Sequence, residues 1–386
     1  MLLETDAFAR WRRSRQSAEV IPPVSRLLGG ARRSPLWDDG APIQAELFSV
    51  ERLEEHARSL AAAQTVTPGE VKGASLAKRL ADNETVLLAA YRDVAEAIGA
   101  GAAITPAAEW LIDNFYVVEK QIREVRADLP PGYYRQLPKL AGGPLAGYPR
   151  VFGVAWAFVA HTDSLFDPDV LCRYLRAYQE VQPLTIGELW AVAITLRIVL
   201  VENLRRIAKR VTDSHAGRRA ADELADRLLG AGGRAPEPPK AVLPPRSQTS
   251  FPDAFLVQLI HRLRDQDPSI APALEWLDNQ LARQGTTADA VVRDEHQRQV
   301  VGSITVRNII TSMRFISDVD WTELFERISL VDEVFKAGSR FQEMDFPTRN
   351  LYRSAVEHLA RGCELTELEV ARAAVETARR ALGANA

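Results

Sequence analysis

Three pairs of acidic residues carry the spacing of a metal-holding carboxylate couple: Asp167-Pro168-Asp169, Asp265-Gln266-Asp267 and Asp318-Val319-Asp320. In a nucleotide-sugar transferase such a couple holds a divalent cation that neutralises the leaving diphosphate. There it closes a strand of an α/β sheet. Here each copy falls in a turn between helical runs, where Asp is an ordinary helix cap. No Gln-x-x-Arg-Trp, Walker loop, Gly-x-Gly-x-x-Gly or Gly-x-Ser-x-Gly occurs in the chain. The histidines His56, His161, His215, His261, His296 and His358 have no partner histidine at i+3 or i+4, so no helical metal site is assigned. Glu109, Glu119, Glu188, Glu202 and Glu275 lie within apolar helical runs. Arg123 stands four residues from Glu119, and Arg205 and Arg206 follow Glu202; helix-face ion pairing is the simplest use of such spacing. No catalytic residue is assigned.

The densest unusual chemistry runs from Glu109 to Arg150. A helix expected over Ala107–Asp128 places Glu109, Asp113, Tyr116 or Glu119, and Arg123 near one face, and Trp110, Asn114 and Val117 or Val118 near another. Tyr133, Tyr134 and Arg135 follow, then a Gly-rich turn ending in Tyr148 and Arg150. Aromatic faces beside amides, carboxylates and arginines suit sugar recognition, by stacking plus convergent hydrogen bonds. The structural alternative is that these side chains anchor an irregular connection onto a helix bundle. Glu109, Trp110, Asn114, Tyr116, Tyr133, Tyr134, Arg135, Tyr148 and Arg150 are the candidate sugar or partner contacts.

The elements that position them are helical. Leu47, Val50, Leu53, Ala57 and Leu60 form one apolar stripe, and Leu76, Leu80, Leu87, Leu88, Tyr91, Val94 and Ile98 another. Capping-box spacing opens helices at Thr67-Pro68-Gly69-Glu70, Thr185-Ile186-Gly187-Glu188, Asp320-Trp321-Thr322-Glu323 and Thr366-Glu367-Leu368-Glu369. Thr105-Pro106 is an N-cap followed by Pro at the first helical position. Stops are written at Pro130-Pro131-Gly132, Gly142-Gly143-Pro144 and Gly147-Tyr148-Pro149. Period-two β-branched runs are nearly missing, so the fold class is all-α: a bundle of stacked helix hairpins.

The chain has 386 residues, with 46% apolar and 26% charged side chains, as in ordinary globular proteins. Forty-eight basic against 51 acidic residues give a net charge of −3, which disfavours a nucleic-acid partner. Cys172 and Cys363 are the only cysteines, too few for a disulfide scaffold. Neither a signal peptide nor a membrane span is read: Glu188 and Arg197 interrupt the most apolar stretch, Leu184–Val201. Gly230–Ser250 carries five prolines and no apolar period, which reads as a linker. The expected organisation is therefore an irregular arm over 1–45, a helical block over 46–229, a Pro-rich linker over 230–250 and a second block over 251–386. Seven arginines against the single acid Glu19 between Arg10 and Arg33 suit an anionic membrane surface or an acidic partner.

Four long stretches resemble the N-terminal region of bacterial cyclic β-1,2-glucan synthases: ITPAAEWLIDNFYVVEKQIREVR, LPPGYYRQLPKL, GPLAGYPRVFGVAWAFVAHTD and QPLTIGELWAVAITLRIVLVENLRRIA. Downstream, SLVDEVFKAGSRFQEMDFPTRNLYRSAVEHLARG is similar to the next segment of those proteins. The resemblance spans nearly the whole chain, with Gly230–Ser250 the least matched. It implies a place in a large inner-membrane protein that builds and cyclises β-1,2-glucan from UDP-glucose with a divalent metal. In that family a family-84 glycosyltransferase module, transmembrane helices and further modules follow the region seen here. The chain is expected to stop before all of them, and so to be non-catalytic and without a cofactor of its own. Its partner would be the glycosyltransferase module, on the cytoplasmic side of the membrane. Two other roles are weighed beside this. One is direct contact with glucan, including a tyrosine acceptor for priming among Tyr116, Tyr133, Tyr134 and Tyr148. The other is a generic helical interaction scaffold.

Overall fold

The computed structural model describes residues 40–67, 75–129, 131–230, 235–244, 251–264 and 270–384. The Arg10–Arg33 arm, most of the Thr67–Glu70 cap, Pro130 and the Asp265-Gln266-Asp267 pair lie outside them. The fold is all-α, as the periodicity requires. Helices α1 (Val50–Ala63), α2 (Leu76–Gly99), α3 (Pro106–Asp113), α4 (Phe115–Asp128), α5 (Pro131–Gln136), α6 (Arg150–His161) and α7 (Pro168–Gln179) precede a 44-residue helix α8 (Ile186–Leu229). After it come α9 (Pro239–Val242), α10 (Asp253–Leu263), α11 (Ala271–Arg283), α12 (Ala288–Asp318), α13 (Trp321–Ile328), α14 (Leu330–Gly338), α15 (Phe346–Arg361) and α16 (Glu367–Ala384). One small sheet pairs β1 (Val66–Thr67) antiparallel with β2 (Lys139–Leu140), Val66 opposite Leu140.

α8 organises the rest. Thr185 caps it with a complete capping box to Glu188, and Gly230 ends it in the left-handed conformation at φ 74°. Over Ile186–Ala208 nearly every side chain is buried, Glu188, Arg197, Glu202, Asn203 and Arg206 included. A helix buried on all sides must be surrounded, and α2, α4, α6, α10 and α12 pack along it. α6 is buried over its whole length.

The apolar core does not divide at the proline-rich stretch. One cluster gathers residues from Ile43 to Ala371. A second joins the end of α8 (Ala221, Leu224, Ala225, Leu228) to Val242, Phe251, α10, α11 and Val291 of α12. At 1.5 Å per residue α8 is about 66 Å long, longer than one small core. It therefore serves both, and α12 runs back from the second to the first. Val242 and Phe251, inside the stretch read as a linker or next to it, are buried in the second cluster.

The helix expected over Ala107–Asp128 is broken at Asn114, with φ −119° and ψ 14°. Its side-chain amide donates to Trp110 O at 2.9 Å, and its Oδ1 accepts from Arg314 at 2.6 Å. An Asn side chain that bonds the preceding turn competes with the backbone ladder, so α3 and α4 part there.

The segment entering the fold is stapled by α8. Asn203 Oδ1 accepts from Ile43 N at 2.6 Å, while its Nδ2 donates to Ile43 O at 3.3 Å and to Ser164 Oγ at 2.8 Å. Ser164 and Asp163 are the described non-glycine residues with positive φ, 62° and 49°. Thr305, Asn308 and Gln44 donate to the Asp163 carboxylate. Replacing Asn203 by Ala strands both backbone groups of buried Ile43. At roughly 1–3 kcal/mol for each of the two unsatisfied groups, N203A should lose about 2–6 kcal/mol of stability, read from the urea midpoint.

Candidate functional site

The first turn of α8 collects residues from four other parts of the chain. Glu188 Oε2 accepts from Thr185 N at 3.0 Å, closing the capping box. The same carboxylate takes a forked pair from Arg150: Nε to Oε1 at 2.8 Å, and a terminal nitrogen to Oε2. The rest of the Arg150 guanidinium donates to Gln182 Oε1 at 2.8 Å and to Pro183 O at 3.0 Å. Both charges are essentially out of water. Tyr133 Oη donates to Gly187 O, and Ile186 N donates to Glu367 Oε2 at 2.7 Å. Lys139, buried on β2, donates to Tyr134 O at 2.6 Å and Leu137 O at 2.7 Å, with its ammonium 4.5 Å from the Tyr134 ring centre.

The electrostatics of this turn follow from burial. Desolvation pulls the Lys139 ammonium down to about 8 against the opposing pull of Glu188. Burial raises the Tyr133 and Tyr134 hydroxyls, Tyr133 further through Glu357, Glu188 and Glu367. A phenol pushed up in this way is a poor nucleophile at neutral pH. Glu367 is pushed up to about 7, first by burial and then by Glu357 and Glu188, while the bond from Ile186 N and the nearby Arg361 pull it the other way.

A second network lies farther along α8. Glu202, fully buried, accepts from Arg79 at 2.9 and 3.0 Å, Asn83 at 2.7 Å, Arg205 at 2.8 Å and Arg206 at 2.8 Å. Burial alone would raise its carboxyl, but Arg79, Arg206 and Arg205 outweigh burial and hold it down at about 2. Tyr148 accepts from Arg79 at 3.0 Å. The Trp156 ring lies 4.9 Å from the Arg206 guanidinium carbon and 5.9 Å from that of Arg79.

The candidates read from the sequence therefore fall in different places. Tyr133 and Arg150 meet at the start of α8, Tyr134 lies against Lys139 with its hydroxyl near Leu76 and Tyr148, and Tyr148 belongs to the Glu202 network. Asn114 and Tyr116 meet at Arg314 of α12, which donates to Asn114 Oδ1 at 2.6 Å and Tyr116 Oη at 3.0 Å. Trp110 is half-buried against the first core, and Glu109 and Arg135 are exposed. Tyr116, at 61% exposure, is the one tyrosine of the candidate set whose ring faces solvent. Arg79, Lys139, Arg314 and Glu367 take part without having been singled out. The capping box of Thr366 with Glu369 signalled a helix start beside Glu367, but nothing local signalled the reach of Glu367 to Ile186. Of the acidic pairs, Asp167 and Asp320 are helix caps. Among the described residues no group of three or more His, Cys, Asp or Glu side chains is arranged to hold a metal ion.

Over 344 residues, 89% of this chain, 39% of positions are identical to the cyclic β-(1,2)-glucan synthase NdvB of Rhizobium meliloti (strain 1021). The chain is related to a cyclic β-(1,2)-glucan synthase. It spans only 12% of the length of that relative, so the relationship is to one helical region of a much longer synthase. No family model matches the chain. None of the described helices is long and apolar enough to cross a membrane.

Glu367 makes the stability of this chain pH-sensitive in a definite direction. Its folded pKa, about 7, lies above the ordinary carboxyl value of 4.5. The stability it contributes is complete below about pH 4.5 and is lost as pH rises through 7. E367Q keeps an acceptor for Ile186 N but no charge. Thermal melts should show E367Q matching the parent at pH 5 and exceeding it at pH 8.5. A difference that does not grow with pH would contradict the assignment.

Proposed function

We propose that this chain is a non-catalytic helical module of a cyclic β-1,2-glucan synthase, which docks onto the UDP-glucose-dependent glucosyltransferase part of that synthase and holds it in place. The observation that carries the reading is the extent of the match: nearly the whole chain aligns, yet it spans 12% of the relative. The geometry agrees with a framework role. Glu202, Glu188, Arg150 and Arg206 are each enclosed by protein partners within the bundle, an arrangement that fixes helices relative to one another. Work on the cytoplasmic side of the inner membrane, with Arg10–Arg33 on anionic lipid, belongs to the same proposal.

A second reading rests on Tyr116. Its exposed ring is fixed by the bond from Arg314 to its hydroxyl, and an exposed, immobilised aromatic face is a stacking platform for a glucose ring. The same hydroxyl is the reachable acceptor among the four candidate tyrosines. Transfer of glucosyl from UDP-glucose to it would form a Tyr116–glucose bond and release UDP.

Calorimetry with linear β-1,2-glucan and with UDP-glucose, beside a pull-down with the transferase module of NdvB, separates the two. The framework reading expects capture of the transferase module and no heat with UDP-glucose; failure to capture it would count against docking. The second reading expects glucan heat lost in Y116A, and one added hexose by intact mass after co-expression with the transferase module, missing in Y116F. Arg150 is a poor test position, because its removal would disturb the first turn of α8.

A further inference from the structure

Before α1 the chain crosses the end of α6 as a strap, residues 41–48, with no regular secondary structure. It is held largely by its backbone. Arg206 donates to Ala41 O at 2.8 Å, and Asn203 grips both backbone groups of Ile43. Ala45 N donates to Ala160 O at 2.9 Å and Phe48 N to His161 O at 3.2 Å. Those two carbonyls end α6, where the helix itself offers no donor. The Gln44 amide donates to Asp163 at 3.0 Å. One buried ring closes the clasp. His161 Nδ1 lies 2.7 Å from Glu46 O, so this nitrogen carries the proton and donates it. The same ring stacks on Phe48, centres 4.0 Å apart and planes at 11°. Its centre is 4.5 Å from that of His56 on α1, and His56 is 5.5 Å from Phe48. Arg52, also on α1, sits over the Phe48 ring at 4.5 Å.

We propose that this strap is an acid-released latch: protons taken up by His56 and His161 free residues 41–48 from the end of α6 while the rest of the bundle stays folded. Neutral, the two imidazoles pack against each other and against Phe48. Charged, they and Arg52 set three cations around one phenyl ring, two of them drawn out of water. Burial and then His161 push the His56 ring down to about 4. Burial also lowers His161, against the pull of Glu46 and with the help of Arg52. The carboxylates of the surrounding elements are engaged elsewhere. Glu46 is paired with Arg52 at 2.9 Å, Glu54 and Glu51 of α1 with Arg173 of α7, and Glu180 of α7 with Arg58. Arg176 of α7 faces Glu333. Glu55, next to His56 in sequence, is exposed. Asp163, beyond the end of α6, is held by Gln44, Thr305 and Asn308. From α8 the strap meets a further cation, Arg206, which is bonded to Glu202. The neutral state is therefore the latched one. Its stability is complete above about pH 6.5 and is lost as pH falls towards 4, the opposite sign to the effect of Glu367. The proposal is independent of the synthase reading.

Hydrogen exchange of the full chain at about pH 7.5 and about pH 5 tests the latch. Rates are read by mass spectrometry as protection factors, so that the intrinsic pH dependence of exchange cancels. The strap amides that are bonded, Ile43, Ala45 and Phe48, should lose protection by on the order of tenfold at the lower pH, as a ring held at about 4 when latched and free to reach 6.5 when open requires. The amides of α6 should keep theirs. H161N retains a donor for Glu46 O and H56Q a polar side chain, and neither takes up a proton. In H56Q/H161N the strap's protection should be the same at both pH values. H56Q alone leaves the bond to Glu46 O in place, and it should move the loss of protection to lower pH. Strap protection that does not change with pH in the parent overturns the proposal. A loss that α6 shares in full overturns it too, because that is global acid unfolding. So does a loss that persists in the double variant or, if circular dichroism shows the double variant unfolded, one that H56Q leaves at the parent's pH.

Discussion

A charge buried in the middle of α8 sets the terms for the whole bundle. Glu202 has no water to solvate it, and leaving a carboxylate in that position without cations would cost several kcal/mol. Its partners must therefore be brought in from elsewhere. Arg205 and Arg206 come from its own helix, but Arg79 and Asn83 come from α2. Arg206 also reaches the backbone of Ala41, and Arg79 reaches Tyr148. Satisfying one carboxylate thus fixes the register of α2 against α8 and ties down both the entering segment and the turn before α6. Apolar packing alone tolerates sliding by part of a turn far better than such a set of directed bonds does.

The same logic repeats at the start of α8 and in the last hairpins. Arg150–Glu188 joins α6 to α8, and Arg353 joins α15 to α13 and α14 through Glu326 and Asp332. Replacing pairs of this kind by apolar residues of similar shape is often neutral or stabilising in other proteins. Their value here is positional: each bridges helices that are distant in sequence.

What the sequence made legible follows range. Capping boxes at Thr185 and Thr366, the caps at Asp167 and Asp320, and the all-α class are written in residues three or four apart, and they appear as read. Glu202 with Arg205 and Arg206 was legible for the same reason. Arg79 and Arg150 were not recognisable as partners of Glu202 and Glu188, since 123 and 38 residues separate them. The break at Asn114 escaped periodicity because it lies in side-chain bonds, one to Trp110 O in the preceding turn and one from Arg314, 200 residues away. Proline content suggested a linker over 230–250, yet composition says nothing about whether residues within or beside it, such as Val242 and Phe251, have a core to enter.

α15 shows most sharply why an apolar pattern does not by itself say which way a helix faces. Leu351, Ala355 and Leu359 are spaced as a core stripe should be, and a periodicity argument would turn them inward. The bundle turns them outward, because Asp332 and Glu326 on the neighbouring helices must be neutralised and Arg353 is the cation that reaches both. A buried carboxylate without its arginine costs more than an exposed leucine on each of two turns. The ionic requirement of the interior therefore chooses the orientation, and the apolar stripe becomes surface. That inversion leaves an uncharged helical face on a protein of otherwise ordinary polarity, and it originates in the same demand that organises α8: charges placed inside must find their partners first.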